Sequence, residues 1–160
     1  MTRPQFDVRV SEGALAEVRT LADRALPFET GGIVLGTLTA TGAWITTFVE
    51  VPAATPHLTR FRIPAGRTHQ IVVEAKASDE RIGYLGDWHT HPADSGPSHI
   101  DLATLQDLAV GTFGRRRFLA LVRRSDSRWF LDLWILSRLR RPARLPYEFS
   151  GPLPLLDADR

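Results

Sequence analysis

Apolar and polar residues alternate from Phe6 to Val10, which predicts a short strand. Ser11 then reads as a helix N-cap. Leu15, Val18, Leu21 and Ala22 recur at helical spacing, so an amphipathic helix is predicted over 12–25, with Pro27 just past its end. Gly32–Thr39 and Ala43–Val51 are β-rich runs joined at Ala40-Thr41-Gly42, the pattern of a hairpin. A loop over 52–60 and a short strand at Phe61–Ile63 precede a second helix over 66–79, where Ile71, Val72 and Ala75 are apolar. Ile82–Trp88 reads as a strand entering a Pro/Gly/Ser loop at 92–97. A third helix over 98–110 presents Ile100, Leu102, Leu105, Leu108 and Ala109, and Arg117–Val122 with Trp129–Leu136 form a second hairpin around Ser125-Asp126-Ser127. The order β α β β α β α β β predicts an α/β sandwich, its mixed and mostly antiparallel sheet flanked by helices. No repeat or low-complexity linker interrupts the chain before about residue 138. One domain over 1–137 is expected, followed by an Arg- and Pro-rich surface-running tail over 138–160.

Composition narrows the chemistry. With 160 residues, 43% of them hydrophobic, the chain can bury one core, and a net charge of only +2 argues against disorder. No apolar run approaches the roughly eighteen residues of a membrane span. Met1-Thr2-Arg3-Pro4-Gln5 has no apolar stretch behind its Arg, so no secretory signal is predicted and a cytoplasmic location is expected. Cysteine is absent, which excludes disulfides, thiol nucleophiles and Cys-ligated zinc. Any metal must be held by His and carboxylates, which makes the placement of the 5 His informative.

Charge is uneven but leads less far. Residues 1–110 carry 9 basic and 13 acidic side chains, and residues 111–160 carry 11 and 5, so the C-terminal part is basic. An acidic partner such as nucleic acid would fit that excess. However, Lys76 is the only lysine among 20 basic residues, a sign of codon bias. No aromatic residue interleaves with Arg115-Arg116-Arg117, so the run does not read as a nucleic-acid site.

The informative segment is Asp87-Trp88-His89-Thr90-His91-Pro92, followed by Gly96-Pro97-Ser98-His99-Ile100-Asp101. His89 and His91 are two apart at a strand end, so alternation puts both rings on one face. By the same argument Thr90 and Asp87 are expected to face away, and Trp88 to pack in the core. Ser98 and Asp101 are three apart at a helix start and share a face. A 92–97 loop that folds this helix start over the strand end would gather two imidazoles and a carboxylate. That donor set suits Zn²⁺ and leaves a fourth position open for water. An isolated H-x-H is a weak signal, and Ser98-x-x-Asp101 is also an N-terminal capping pattern. Capping and ligation are compatible. Far upstream, Glu29 falls between a helix end and a strand start, beside the permissive pair Gly31-Gly32.

Together, Glu29-Thr30-Gly31-Gly32 and His89-Thr90-His91-Pro92 with Pro97-Ser98-x-x-Asp101 resemble the JAMM signature of the JAB/MPN zinc metalloproteases, over about residues 12–136. The single small domain and Trp88 before the first His are similar to bacterial members that accompany ubiquitin-like conjugation systems, some of them in antiphage operons of the CBASS type. The loop between His91 and Ser98 holds six residues, where many members have seven. The resemblance implies a JAB/MPN-like sandwich in which His89, His91 and Asp101 hold zinc. Glu29 would move the water's proton, and Ser98 would donate to the oxyanion. The implied substrate is the amide or isopeptide bond after the C-terminal Gly of a ubiquitin-like protein, with activating and conjugating enzymes of the same operon as further partners. The substrate's tail would add as a strand, and its groove is placed near 53–63. Two other readings stay open. One is trimming of a ThiS-like sulfur carrier. The other is a non-catalytic MPN-like scaffold, although scaffolds in such families generally lack some ligands and this chain has all three and the acid. His57 and His69 are expected at the surface, and His99 points off the Ser98/Asp101 face.

Overall fold

The strand and helix patterns fold as β1 (Asp7–Ser11), α1 (Glu12–Ala25), β2 (Gly31–Leu38), β3 (Gly42–Glu50), α2 (Arg67–Ser78), β4 (Gly83–His91), α3 (His99–Val110), β5 (Phe118–Ser125), β6 (Arg128–Leu136), β7 (Pro142–Leu145) and β8 (Glu148–Ser150). The structure is a computed structural model that describes residues 5–53, 63, 66–110, 116–136 and 141–154. The expected strand at Phe61–Ile63 lies almost wholly outside the described residues.

Among the described residues, eight strands join one sheet in the order β7-β6-β5-β4-β2-β3-β1-β8. The pairs β2/β3, β2/β4, β5/β6 and β6/β7 are antiparallel, whereas β1/β3, β1/β8 and β4/β5 are parallel. The sheet is thus mixed, as predicted. The stretch beyond residue 138, read from its composition as a surface-running tail, instead supplies both edge strands. Pro142 conceals this in the sequence, because a residue without an N–H is tolerated at the start of an edge strand.

Only Pro146 and Tyr147 separate β7 from β8, although these strands stand at opposite ends of the sheet. Three peptide steps of about 3.8 Å span at most about 11 Å. The sheet must therefore curl until its edges nearly meet. Tyr147 Oη, donating to Leu131 O at 2.6 Å, ties this seam to β6. Helix α1 packs inside the curl, against β1 and β3 on one side and β5 and β6 on the other. Val18 and Ala22 are buried there, and Trp129 Nε1 donates to Asp23 Oδ1 at 2.7 Å. Complete burial of a side chain such as Val18 contributes roughly 1.5–3 kcal/mol.

Strand alternation gives the sheet two different faces. Val34, Trp88, Ala120, Val122, Leu131 and Leu133 join the core around α1. His89, His91, Leu119 and Leu121 lie on the opposite face, where α3 buries Leu105. Trp88 fastens the register between them. Its ring is fully buried, meets Phe48 edge-on at 6.1 Å, and donates from Nε1 to Val49 O at 3.0 Å, reaching across β2 to β3. Gly32 is directly opposite Trp88, and a Cβ there would stand 1.8 Å from Val49 O. Only glycine permits that approach.

Candidate metal centre

Three elements converge on one point. Strand β4 runs through both imidazoles, and its pairing with β2 sets Gly31 opposite His89. The pairing continues one step further. Thr90 N donates to Thr30 O at 2.8 Å, and Thr30 N donates to Thr90 Oγ1 at 2.9 Å. Extending that register brings Glu29 to the level of His91, on the same face. Thr30 is secured from the far side as well, where its hydroxyl donates to Glu50 Oε1 at 2.8 Å and Arg24 Nη2 donates to Glu50 Oε2 at 2.9 Å.

The third element is the start of α3. Ser98 N donates to Asp101 Oδ2 at 2.6 Å, and Asp101 N donates to Ser98 Oγ at 3.2 Å. This reciprocal cap satisfies two otherwise orphaned helix donors. It also turns the Asp101 carboxylate toward β4, so capping does not take that carboxylate away from the imidazoles. The Ser98 hydroxyl accepts in this arrangement, which leaves its own proton free to donate.

The donor atoms face one another. His89 Nε2 lies 3.1 Å from His91 Nε2 and 2.9 Å from Asp101 Oδ1, and His91 Nε2 lies 3.3 Å from Asp101 Oδ2. A tetrahedral zinc with ligand bonds of about 2.0–2.2 Å separates its donors by roughly 3.3–3.6 Å. The two Nε2 atoms and the two oxygens of the Asp101 carboxylate thus lie at about the spacing of such a ligand set, slightly contracted. His89, His91 and Asp101 are each 8% exposed, so a fourth ligand has access from one side. The His91 ring is fixed by its other nitrogen: Nδ1 is 3.1 Å from Ser95 O and 3.2 Å from Ser95 Oγ. Donation from Nδ1–H to that carbonyl leaves the Nε2 lone pair for a metal.

Burial and charge drive the titratable groups apart. Burial opposes ionisation of Asp101, yet the hydrogen bonds from His89 and His91 hold its carboxyl far below the usual carboxylate range. Burial raises the pKa of Glu29, partly offset by the nearby His89 and His91. For His91 burial acts downward, but its bonds to Asp101 and Ser95 carry it above its ordinary value.

A cavity of about 460 Å³ adjoins the cluster, lined among others by Asp87, His89, Leu119, Ile100, Asp101 and Asp107. Asp87 was expected to face away and does not. It has the same parity as His89 and so shares its face, where Tyr84 Oη donates to its Oδ1 at 2.6 Å. Burial raises the pKa of this carboxyl, against the pull of Tyr84 and His89. Trp88 and Thr90 are fully buried. His69 and His99 are exposed, while His57 and nearly all of the groove placed at 53–63 lie outside the described residues. Sequence reasoning missed Ser95, for which a small polar residue in a short loop gave no signal.

Among the described residues, His89, His91 and Asp101 form a group that could hold a metal ion. The family model described as prokaryotic homologues of the JAB domain matches residues 11–133. A protein of Pseudomonas aeruginosa named CD-NTase/cGAS isopeptidase is 33% identical over 98 residues, covering 59% of this chain and 61% of that protein. The match thus spans about three-fifths of that relative's length. The solution structure of protein DSY2949 from Desulfitobacterium hafniense is similar in fold, with a TM-score of 0.71 and 16% identity over 91% of this chain and 94% of that one.

Proposed function

The chain belongs to the prokaryotic homologues of the JAB domain, and on that premise we propose that it is a zinc-dependent isopeptidase. It cleaves after the C-terminal Gly of a ubiquitin-like protein, in the cytoplasm, within an antiphage system. The observation that carries this reading is the pair of imidazole Nε2 atoms 3.1 Å apart, closed by Asp101 and approached by Glu29. The 33% identity to a protein named CD-NTase/cGAS isopeptidase supports a conjugate of a CD-NTase as substrate, with the enzymes that form it as partners. No helix among the described residues is long and apolar enough to cross a membrane.

His89, His91 and Asp101 would hold the ion. Zinc, when bound, supplies Lewis acidity and lowers the pKa of a coordinated water to about 7. Glu29 takes the water's proton and delivers it to the leaving amine. Its raised pKa suits the first task, since a weaker acid is a better base. Ser98 Oγ donates to the oxyanion of the tetrahedral intermediate while its lone pair remains on Asp101 N.

The test combines metal analysis with cleavage. Purified protein is expected to bind one zinc and to release a ubiquitin-like protein from a lysine conjugate, and Glu29→Ala is expected to keep the zinc and lose cleavage. Cleavage of linear extensions alone would redirect the reading to precursor trimming. Zinc binding with no cleavage of any such conjugate or extension would contradict it.

A further inference from the structure

The His91 ring is oriented by Ser95, yet Ser95 is exposed and sits in a six-residue loop. Something must hold that loop in place. Ser95 N donates to Ala93 O at 2.9 Å, so residues 93–95 make a tight turn with Asp94 at its apex. The Asp94 carboxylate reaches β5 with both oxygens. Oδ1 accepts from Arg123 Nη1 at 2.7 Å, and Oδ2 accepts from Ser125 Oγ at 2.8 Å. The parallel pairing of β4 with β5 sets Arg123 beside His91 itself. Arg123 is immobilised in turn, because its Nε donates to Asp132 Oδ2 at 2.9 Å and the Asp132 side chain is 7% exposed. Asp132 also accepts from Arg144 on β7.

We propose that Asp94 is a positioning residue for the metal centre: it straps the 92–97 loop to β5 so that Ser95 O stays on His91 Nδ1 and His91 Nε2 stays on the ion. This rests on reading His89, His91 and Asp101 as metal ligands. The strap explains how the middle of the loop keeps one geometry between the half-buried Pro92 and Pro97, since Ala93, Asp94, Ser95 and Gly96 are all exposed. A bidentate carboxylate between a guanidinium and a hydroxyl is directional as well as attractive. Asp132 and Arg144 extend the strap through β6 to β7, linking the C-terminal edge strand to the site.

The test measures zinc affinity by competition with a chelator for wild type, Asp94→Ala, Asp94→Asn and Ser125→Ala, with thermal melting as the folding control. Loss of an outer partner of a ligating histidine typically costs about 10–100-fold in metal affinity. Ser95 is that partner and Asp94 acts through it, so Asp94→Ala is expected to lose about 10-fold, the low end of that range, with Asp94→Asn and Ser125→Ala losing less. Proton–nitrogen NMR of the zinc-loaded protein supplies a second readout: the His91 Nδ1–H is expected to be protected from solvent exchange in wild type and to exchange faster in Asp94→Ala. A folded Asp94→Ala or Asp94→Asn protein with wild-type affinity and unchanged protection of the His91 Nδ1–H would overturn the strap. Failure of the wild type to bind zinc would instead overturn the metal-site reading.

Discussion

Two carboxylates meet the same pair of imidazoles and come away with opposite properties. Asp101, at the start of α3, is engaged directly by His89, His91 and the Ser98 N–H, and its carboxyl is held far below its ordinary value of 3.8. Glu29, at the joint between α1 and β2, feels the imidazoles only through space, and burial raises it above 4.5. Hydrogen bonding to the charged form stabilises it, whereas desolvation without such bonds does the reverse. Divergent environments for two like groups are a recurring way to separate a fixed anion from a proton carrier. The proposed ligand and the proposed base are therefore told apart by their surroundings, although both are simple acids in the sequence.

The largest expected effect comes from removing the fixed anion. Asp101→Ala should abolish stoichiometric zinc binding in a chelator-competition assay, and cleavage with it. Glu29→Gln should leave zinc binding intact while lowering the single-turnover rate about 10²–10⁴-fold, the range of a general acid–base group. If the two variants behaved alike, the contrast between the carboxylates would fail. Ser98→Ala should be milder in both respects. It removes an oxyanion donor, typically about 10²–10³-fold in rate, and an N-cap, about 0.5–2 kcal/mol in stability by denaturant titration.

The smallest effects concern protons in the metal-free protein. Carbon NMR of the carboxyl groups should find Asp101 ionised well below pH 3.8 and Glu29 still taking a proton above pH 4.5. A folded pKa above the unfolded one means that ionised Glu29 destabilises the fold at neutral pH, and that cost fades as pH falls through the folded pKa. Metal-free Glu29→Gln should therefore melt higher than wild type at pH 7, with the gap closing in acid.

Much of the site was legible because its key spacings are short. His89 and His91 share a face by strand parity, and Ser98-x-x-Asp101 is at once a cap and a ligand pattern. Glu29 lies 60 residues upstream, and periodicity alone could not bring it to β4; the motif resemblance did, and the β2/β4 register supplies the physical reason. The same strand parity places Asp87 on the His89 face. Other features were hidden for better reasons. Asp94 and Ser95 act through contacts with β5 and β4 that no local spacing encodes. The strands β7 and β8 are short, Arg- and Pro-rich at their start, and exist only because the curled sheet offers each an open edge.

X-ray absorption of the zinc-loaded protein, compared with that of Glu29→Gln and Asp101→Asn, tests the division of labour most directly. The account predicts two imidazole nitrogens and one carboxylate oxygen at about 2.0–2.2 Å, unchanged in Glu29→Gln and disrupted in Asp101→Asn. A zinc shell that changes in Glu29→Gln, or that survives intact in Asp101→Asn, would contradict it.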